Sequence, residues 1–107
     1  MKSEWSKHAH AQRLGILRII RREQGSDVAR RWNNDFAKAV NLLPPFPELG
    51  SEIDEDCFWT LPINHERLRQ TLCSPYRIIY EHVEDEIHVL AIMDCAMLIR
   101  TRDTYWN

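Results

Sequence analysis

The sequence predicts an α+β domain: an N-terminal helical hairpin packed on an antiparallel sheet of three to four strands. Three observations predict it. Apolar residues recur at helical spacing until Leu43, where Pro44-Pro45 stops the pattern. Two strand-like runs, Tyr76–Tyr80 and Ile87–Met93, then flank a charged turn that cannot be buried. Helices gathered ahead of strands joined by short links give α+β rather than a wound parallel sheet.

The chain has 107 residues, which makes one domain over residues 1–107. At 44% hydrophobic and 28% charged, it holds enough apolar material for a single core. No apolar run approaches the ~18 residues of a membrane span, so no membrane role is expected. The opening MKSEWSKHAHAQ has no apolar stretch of signal-peptide type, and a cytoplasmic location is expected. Cys57, Cys73 and Cys95 are widely spaced, odd in number and without a CxxC pair. Neither a disulfide framework nor a zinc site is expected from them. The net charge of -2 hides an asymmetry. Residues 1–50 carry nine Lys/Arg against five Asp/Glu, a net of +4, and residues 51–107 carry five against eleven, a net of -6.

Taken in order, Trp5 belongs to a short first strand, and Ser6 has the hydroxyl that caps a helix. Leu14, Leu17 and Ile20 repeat every three residues, with Ile16 four before Ile20, and Gln24-Gly25 ends this helix. Ser26 is the expected cap of a second helix. Its stripe is Val28, Trp32, Phe36, Val40 and Leu43, nearly all at i+4 spacing. So short a link implies an antiparallel hairpin. Residues 44–65 form a long connection with an acidic, solvated SEIDED; Cys57–Leu61 is either a short edge strand closed by Pro62 or a loop. Glu66–Leu72 alternates, with Leu68 and Leu72 on one side and Arg67 and Arg69 on the other. With Tyr76–Tyr80, a turn over His82–Glu86 and Ile87–Met93, it makes an antiparallel meander. The hairpin covers one sheet face, and the other meets solvent or binds something.

Several motifs along this order resemble the RelE/ParE superfamily of bacterial type II toxins. Trp5-Ser6 followed by Ala9 resembles the family's opening strand and helix start. Leu42-Leu43-Pro44 with Glu48-Leu49-Gly50 resembles its exit from the hairpin. Leu68-Arg69 followed by Tyr76-Arg77-Ile78-Ile79-Tyr80 resembles its strand pair, and Ile87–Met93 its apolar strand. The resemblance implies a toxin neutralised by a cognate antitoxin. A ParE-like member would bind DNA gyrase; a RelE-like member would cut mRNA on the ribosome without a metal; a degenerate member would do neither. Where many members carry a histidine and a basic pair, this chain reads Asp94-Cys95-Ala96-Met97. RNA cleavage needs acid–base groups and cations around the phosphate. The acidic C-terminal half repels it. The ParE-like alternative is therefore the expectation.

For a nuclease, the resemblance points to Arg69, Arg77 and Tyr105 as catalytic residues. For a binder, the expected partner contacts are Arg69, Arg77 and Tyr105 with Arg67, which shares the face of Arg69, and the basic-aromatic tail of Arg100, Arg102 and Trp106. Plainer readings stand beside these: arginines paired with Glu66 or Glu81 on a sheet face, and tail aromatics docked on the core. His65 and His88 are candidate acid–base groups because a free imidazole changes charge near neutrality, but His88 reads as a hydrogen-bonded sheet residue. His8 and His10, at i and i+2 of a helix, do not share a face. Arg13, Arg18, Arg21, Arg22, Arg30, Arg31 and Lys38 give the hairpin a basic side, either solvated or a docking surface for an acidic partner. An antitoxin segment is expected at the apolar strand or in the groove between hairpin and sheet, by strand addition or helix docking. No cofactor and no metal are expected, and the oligomeric state is left open.

Overall fold

The computed structural model describes residues 2–59 and 68–106. The chain forms β1 (Lys2–Trp5), α1 (Lys7–Gln24), α2 (Ser26–Asn41), β2 (Ser51–Glu52), a 3-10 turn at Glu55–Cys57, β3 (Leu68–Cys73), β4 (Tyr76–Val83), β5 (Glu86–Asp94) and α3 (Arg102–Tyr105). The sheet has five strands in the order β1-β5-β4-β3-β2. The expected meander is β3-β4-β5, all antiparallel. The expectation of three to four antiparallel strands falls short at both edges. β2 adds a two-residue antiparallel edge, and β1 lies parallel to β5. The parallel pairing follows from connectivity, since the helical hairpin intervenes between β1 and the rest of the sheet and β1 joins beside the last strand.

Ser6 caps α1 as its position suggests, its Oγ accepting from the Ala9 N–H at 2.9 Å and donating to the Leu90 carbonyl at 2.8 Å. The cap thus also ties the helix start to β5. α1 ends at Gly25, whose φ of +98° suits glycine, and α2 begins at Ser26. Ser26 is therefore the first helical residue rather than the cap. Gly25 takes the cap position, and no side chain closes that end. The charged turn between β4 and β5 is tighter than expected, confined to Glu84-Asp85, with Glu84 at φ +54°.

Two cores sandwich the sheet. On the helical face, Phe36, Val40 and Leu43 of α2 and its exit meet Ile78, Tyr80, Ile87, Val89 and Ile92, with Trp5, Ile16, Leu17 and Trp32 around them. Leu14, expected in this stripe, is 49% exposed instead and lies on the groove side of α1. On the opposite face, Leu68, Ile79, Leu90, Ala91 and Met93 are covered by Ile53, Phe58, Ile99 and Tyr105. The second face is thus neither open to solvent nor free for a ligand; the long connection and the tail close it. A register shift at Ile79/Tyr80 leaves Leu90 and Ala91 in this same core. Among the described residues, Cys57–Trp59 is no strand: a single parallel bridge joins Phe58 to Ile99. The remainder of that segment, like Glu66 and Arg67 of the third expected strand and His65, lies outside the described residues.

Candidate functional site: a basic groove on the helical hairpin

Leu14, Leu17, Arg18 and Arg21 stand at i, i+3, i+4 and i+7 of α1, and Ser26, Ala29, Arg30 and Asn33 repeat the same spacing on α2. The two faces meet in an open groove of about 310 Å³, its floor apolar and its rims carrying Arg18, Arg21 and Arg30. All three arginines are exposed. Arg30 bonds Asp27 at 3.2 Å at the surface, while Arg18 and Arg21 have no acidic partner among the described residues. Arg13 stiffens the groove from beneath. Its Nε donates to Asn33 Oδ1 at 2.9 Å, and its guanidinium lies 4.6 Å over the Trp5 ring. Burial pulls the Arg13 pKa down from its ordinary value, yet arginine remains a cation. Half-buried apolar surface flanked by exposed cations suits an acidic, amphipathic partner segment.

The sheet arginines are placed differently. Arg69 donates from Nε and a terminal nitrogen to the Gly50 carbonyl at 3.0 and 2.8 Å, and to Glu48 O at 3.3 Å. The Tyr80 hydroxyl grips the same loop, donating to Pro47 O at 2.8 Å and accepting from the Gly50 N–H at 3.0 Å. Arg77 is 5% exposed and lies on the opposite face. It donates to Gln70 Oε1 at 3.2 Å, to Met97 O at 3.4 Å and to the Cys95 carbonyl. Arg69 and Arg77 thus project from opposite sides of the sheet and do not converge on one point. Arg77 holds the very turn, Asp94–Met97, where the basic pair of the resemblance is missing. Asp94 Oδ1 accepts from the Ala96 N–H at 2.8 Å in that turn.

Tyr105 is buried at 4% exposure, accepts from the Arg100 N–H at 2.8 Å and meets the His8 ring edge-on at 5.0 Å. Arg102 donates to the buried Glu81 carboxylate at 2.6 Å. Trp106 stacks on His88 at 4.1 Å. Arg100 is exposed, its guanidinium 5.1 Å over Trp59, itself 63% exposed. The tail therefore docks on the second sheet face and leaves Arg100 with Trp59 outermost. Arg67 lies outside the described residues. Sequence reasoning missed the pairing of the two groove faces. The i, i+3, i+4, i+7 sets on adjacent helices were a signal, but Leu14 was read as core.

A short β-strand, a helical hairpin and an antiparallel meander closed by a docked tail define a small toxin fold of the RelE/ParE type. The family model for the ParE toxin of the type II toxin–antitoxin system, parDE, matches residues 4–99, and the chain belongs to that family. Among solved structures, a chain of the chromosomal ParDE toxin–antitoxin system from P. aeruginosa is similar, at 22% identity and a TM-score of 0.69, over 88% of this chain and 95% of that chain. At that identity, the likeness speaks to the fold alone. No curated protein matches the sequence. No helix among the described residues is long and apolar enough to cross a membrane.

Proposed function

We propose that this ParE-family chain arrests growth by binding a protein target, DNA gyrase, and is neutralised by a cognate antitoxin. The observation that carries the reading is the hairpin groove, whose apolar floor lies open between the exposed Arg18, Arg21 and Arg30. Binding rather than RNA cleavage is favoured because the arginines a nuclease would use spend their donors on main-chain carbonyls. The antitoxin segment fits the groove as an acidic amphipathic helix. Strand addition to β5 is blocked, because β1 and β4 pair with both of its edges. The remaining candidate contacts sit on the tail: Arg100, with Trp59, gives a second, smaller touching point, while Arg102, Tyr105 and Trp106 hold it in place.

The test is gyrase supercoiling with purified protein. Inhibition that is relieved by the antitoxin supports the reading. Unchanged supercoiling at micromolar excess overturns the target, and transcripts cut on the ribosome, read by primer extension, overturn the mechanism. Charge reversal at Arg18 and Arg30 should weaken antitoxin binding while leaving the fold intact.

A further inference from the structure

Strand pairing brings together three side chains from opposite ends of the chain. β1 and β5 are in register with Glu4 opposite His88 and Lys2 opposite Glu86. Residues at every second position of a strand share a face. Glu4, Glu86 and His88 therefore project together, with one ligand-capable atom from each lying within 4.8 Å of the others. His88 Nε2 and Glu86 Oε2 are 2.9 Å apart. The Lys2 ammonium sits 3.1 Å from Glu4 and 3.6 Å from Glu86.

We propose that Glu4, Glu86 and His88 form a binding site for a divalent transition-metal ion of the zinc class. Two carboxylates and one imidazole are a three-residue donor set that suits zinc, whereas calcium and magnesium prefer oxygen ligands alone. Ligands held about 2.0–2.2 Å from a tetrahedral ion lie about 3.3–3.6 Å from one another. His88 Nε2 and Glu86 Oε2 are closer than that, at a hydrogen-bond distance of 2.9 Å, so the ion replaces the shared proton once small side-chain rotations part the two groups. Glu4 is 45% exposed and free to close the remaining distance by rotating. Two carboxylates already attract one cation here, the Lys2 ammonium, and Lys2 at 66% exposure can leave for solvent. A divalent ion with a neutral imidazole balances both carboxylates, which one ammonium does not.

One further feature supports the site. His88 is held by its stack on Trp106, with an interplanar angle of 7°, so one of the donors is pre-oriented. The consequence is mechanical. An ion here pins the parallel edge strand β1 to β5 and, through His88, to the docked tail. The proposal does not depend on which macromolecule the toxin inhibits.

The test is titration of the full-length chain with Zn²⁺ by isothermal calorimetry, with thermal melts alongside. The expected result is one bound ion and a raised melting temperature. Glu4→Gln and His88→Ala should each weaken binding by about tenfold or more. Lys2→Ala, which removes the competing cation, should bind at least as tightly as the natural chain. Tryptophan emission should change on Zn²⁺ addition, and the change should disappear in Trp106→Phe. Absence of binding at millimolar Zn²⁺ overturns the site. So does an affinity unchanged in Glu4→Gln, which leaves the fold undisturbed and would put the ion elsewhere. Equally tight binding of Mg²⁺ overturns the zinc-class assignment.

Discussion

Replacing Arg77 with methionine separates a holding role from a chemical one. The side chain is 5% exposed and donates to Gln70, to Met97 O and to the Cys95 carbonyl. Hydrogen bonds from a charged donor contribute about 1.5–3 kcal/mol each. That sum is reduced by the cost of burying the guanidinium, whose Nε has no partner. It is reduced again because Met97 is exposed and its carbonyl can turn to water. A net loss of about 2–4 kcal/mol follows, mostly from the Cys95 carbonyl and the Gln70 amide left unpaired. For a domain of this size, each kcal/mol lowers the melting temperature by about 4–8 °C. Guanidinium denaturation followed by tryptophan fluorescence gives the value, and Arg77→Lys should fall between the two because it keeps the charge and a single donor direction. A loss below about 0.5 kcal/mol for Arg77→Met, the level of an ordinary surface change, refutes the reasoning. The guanidinium would then not be what holds the Asp94–Met97 turn, and a phosphate-binding role would return.

Tyr80→Phe should destabilise the protein by about 2 kcal/mol, because the buried ring keeps its packing while Pro47 O and the Gly50 N–H lose their partner; denaturation midpoints measure it. Gly50→Ala should cost more, since its new methyl would lie 2.7 Å from the Tyr80 hydroxyl and closer still to the Gln70 carbonyl, and exchange of the β2 amides should rise with it. Arg18→Glu combined with Arg30→Glu should change stability by less than about 0.5 kcal/mol and weaken antitoxin binding at low salt more than at high salt, by titration calorimetry. The hydrogen bond from His88, then Lys2, holds the Glu86 carboxyl below its ordinary pKa. A depressed carboxyl stabilises the fold above the ordinary carboxylate range and loses that contribution as pH falls through its own folded value. Glu86→Gln should therefore flatten the drop in melting temperature between neutral pH and acid. Burial, and then the charge of Asp35, push the Cys73 thiol up, so mapped alkylation at mildly alkaline pH should modify Cys73 more slowly than a free thiol.

What the sequence made legible is what local physics controls. Ser6 caps α1 because its hydroxyl precedes a helical repeat, and Gly25 breaks the hairpin because it supplies a positive φ. The strands Tyr76–Val83 and Glu86–Asp94 announce themselves by β-branched and aromatic residues around a charged turn. What stayed illegible depends on partners far away in sequence. Lys2–Trp5 becomes a parallel edge only because β5 offers it one. Ile53 is a lone apolar residue in an acidic run, while Phe58 and Ile99 sit in short apolar stretches far from it in sequence, and their common purpose emerges only when they cover Ile79 and Leu90. Arg69 and Arg77 read as candidates for one site because the resemblance picks out both. Opposite pleats send them to different loops, and only a register could reveal that.

The second core also bears on the choice between binding and cleavage. A nuclease face on the sheet needs open strand surface with converging cations around a phosphate. Here, one face lies under the hairpin and the other under Ile53, Phe58, Ile99 and Tyr105. The arginines that come from the sheet are consumed in holding those covers down: Arg69 the Glu48–Gly50 loop and Arg77 the Asp94–Met97 turn. Arg102, reaching down from the tail, is committed to Glu81. Acidic Glu52, Asp54, Glu55 and Asp56 surround the outer cover and raise the cost of bringing an RNA backbone near it. Net positive charge is thereby concentrated on the hairpin, with the open groove between its helices as the recess. Two helices present an open trough with an apolar floor and exposed arginines at its rims, the shape and charge that the proposed acidic helix calls for. On the proposed reading, the acidic charge of the C-terminal half is no obstacle, because the groove lies on the basic hairpin.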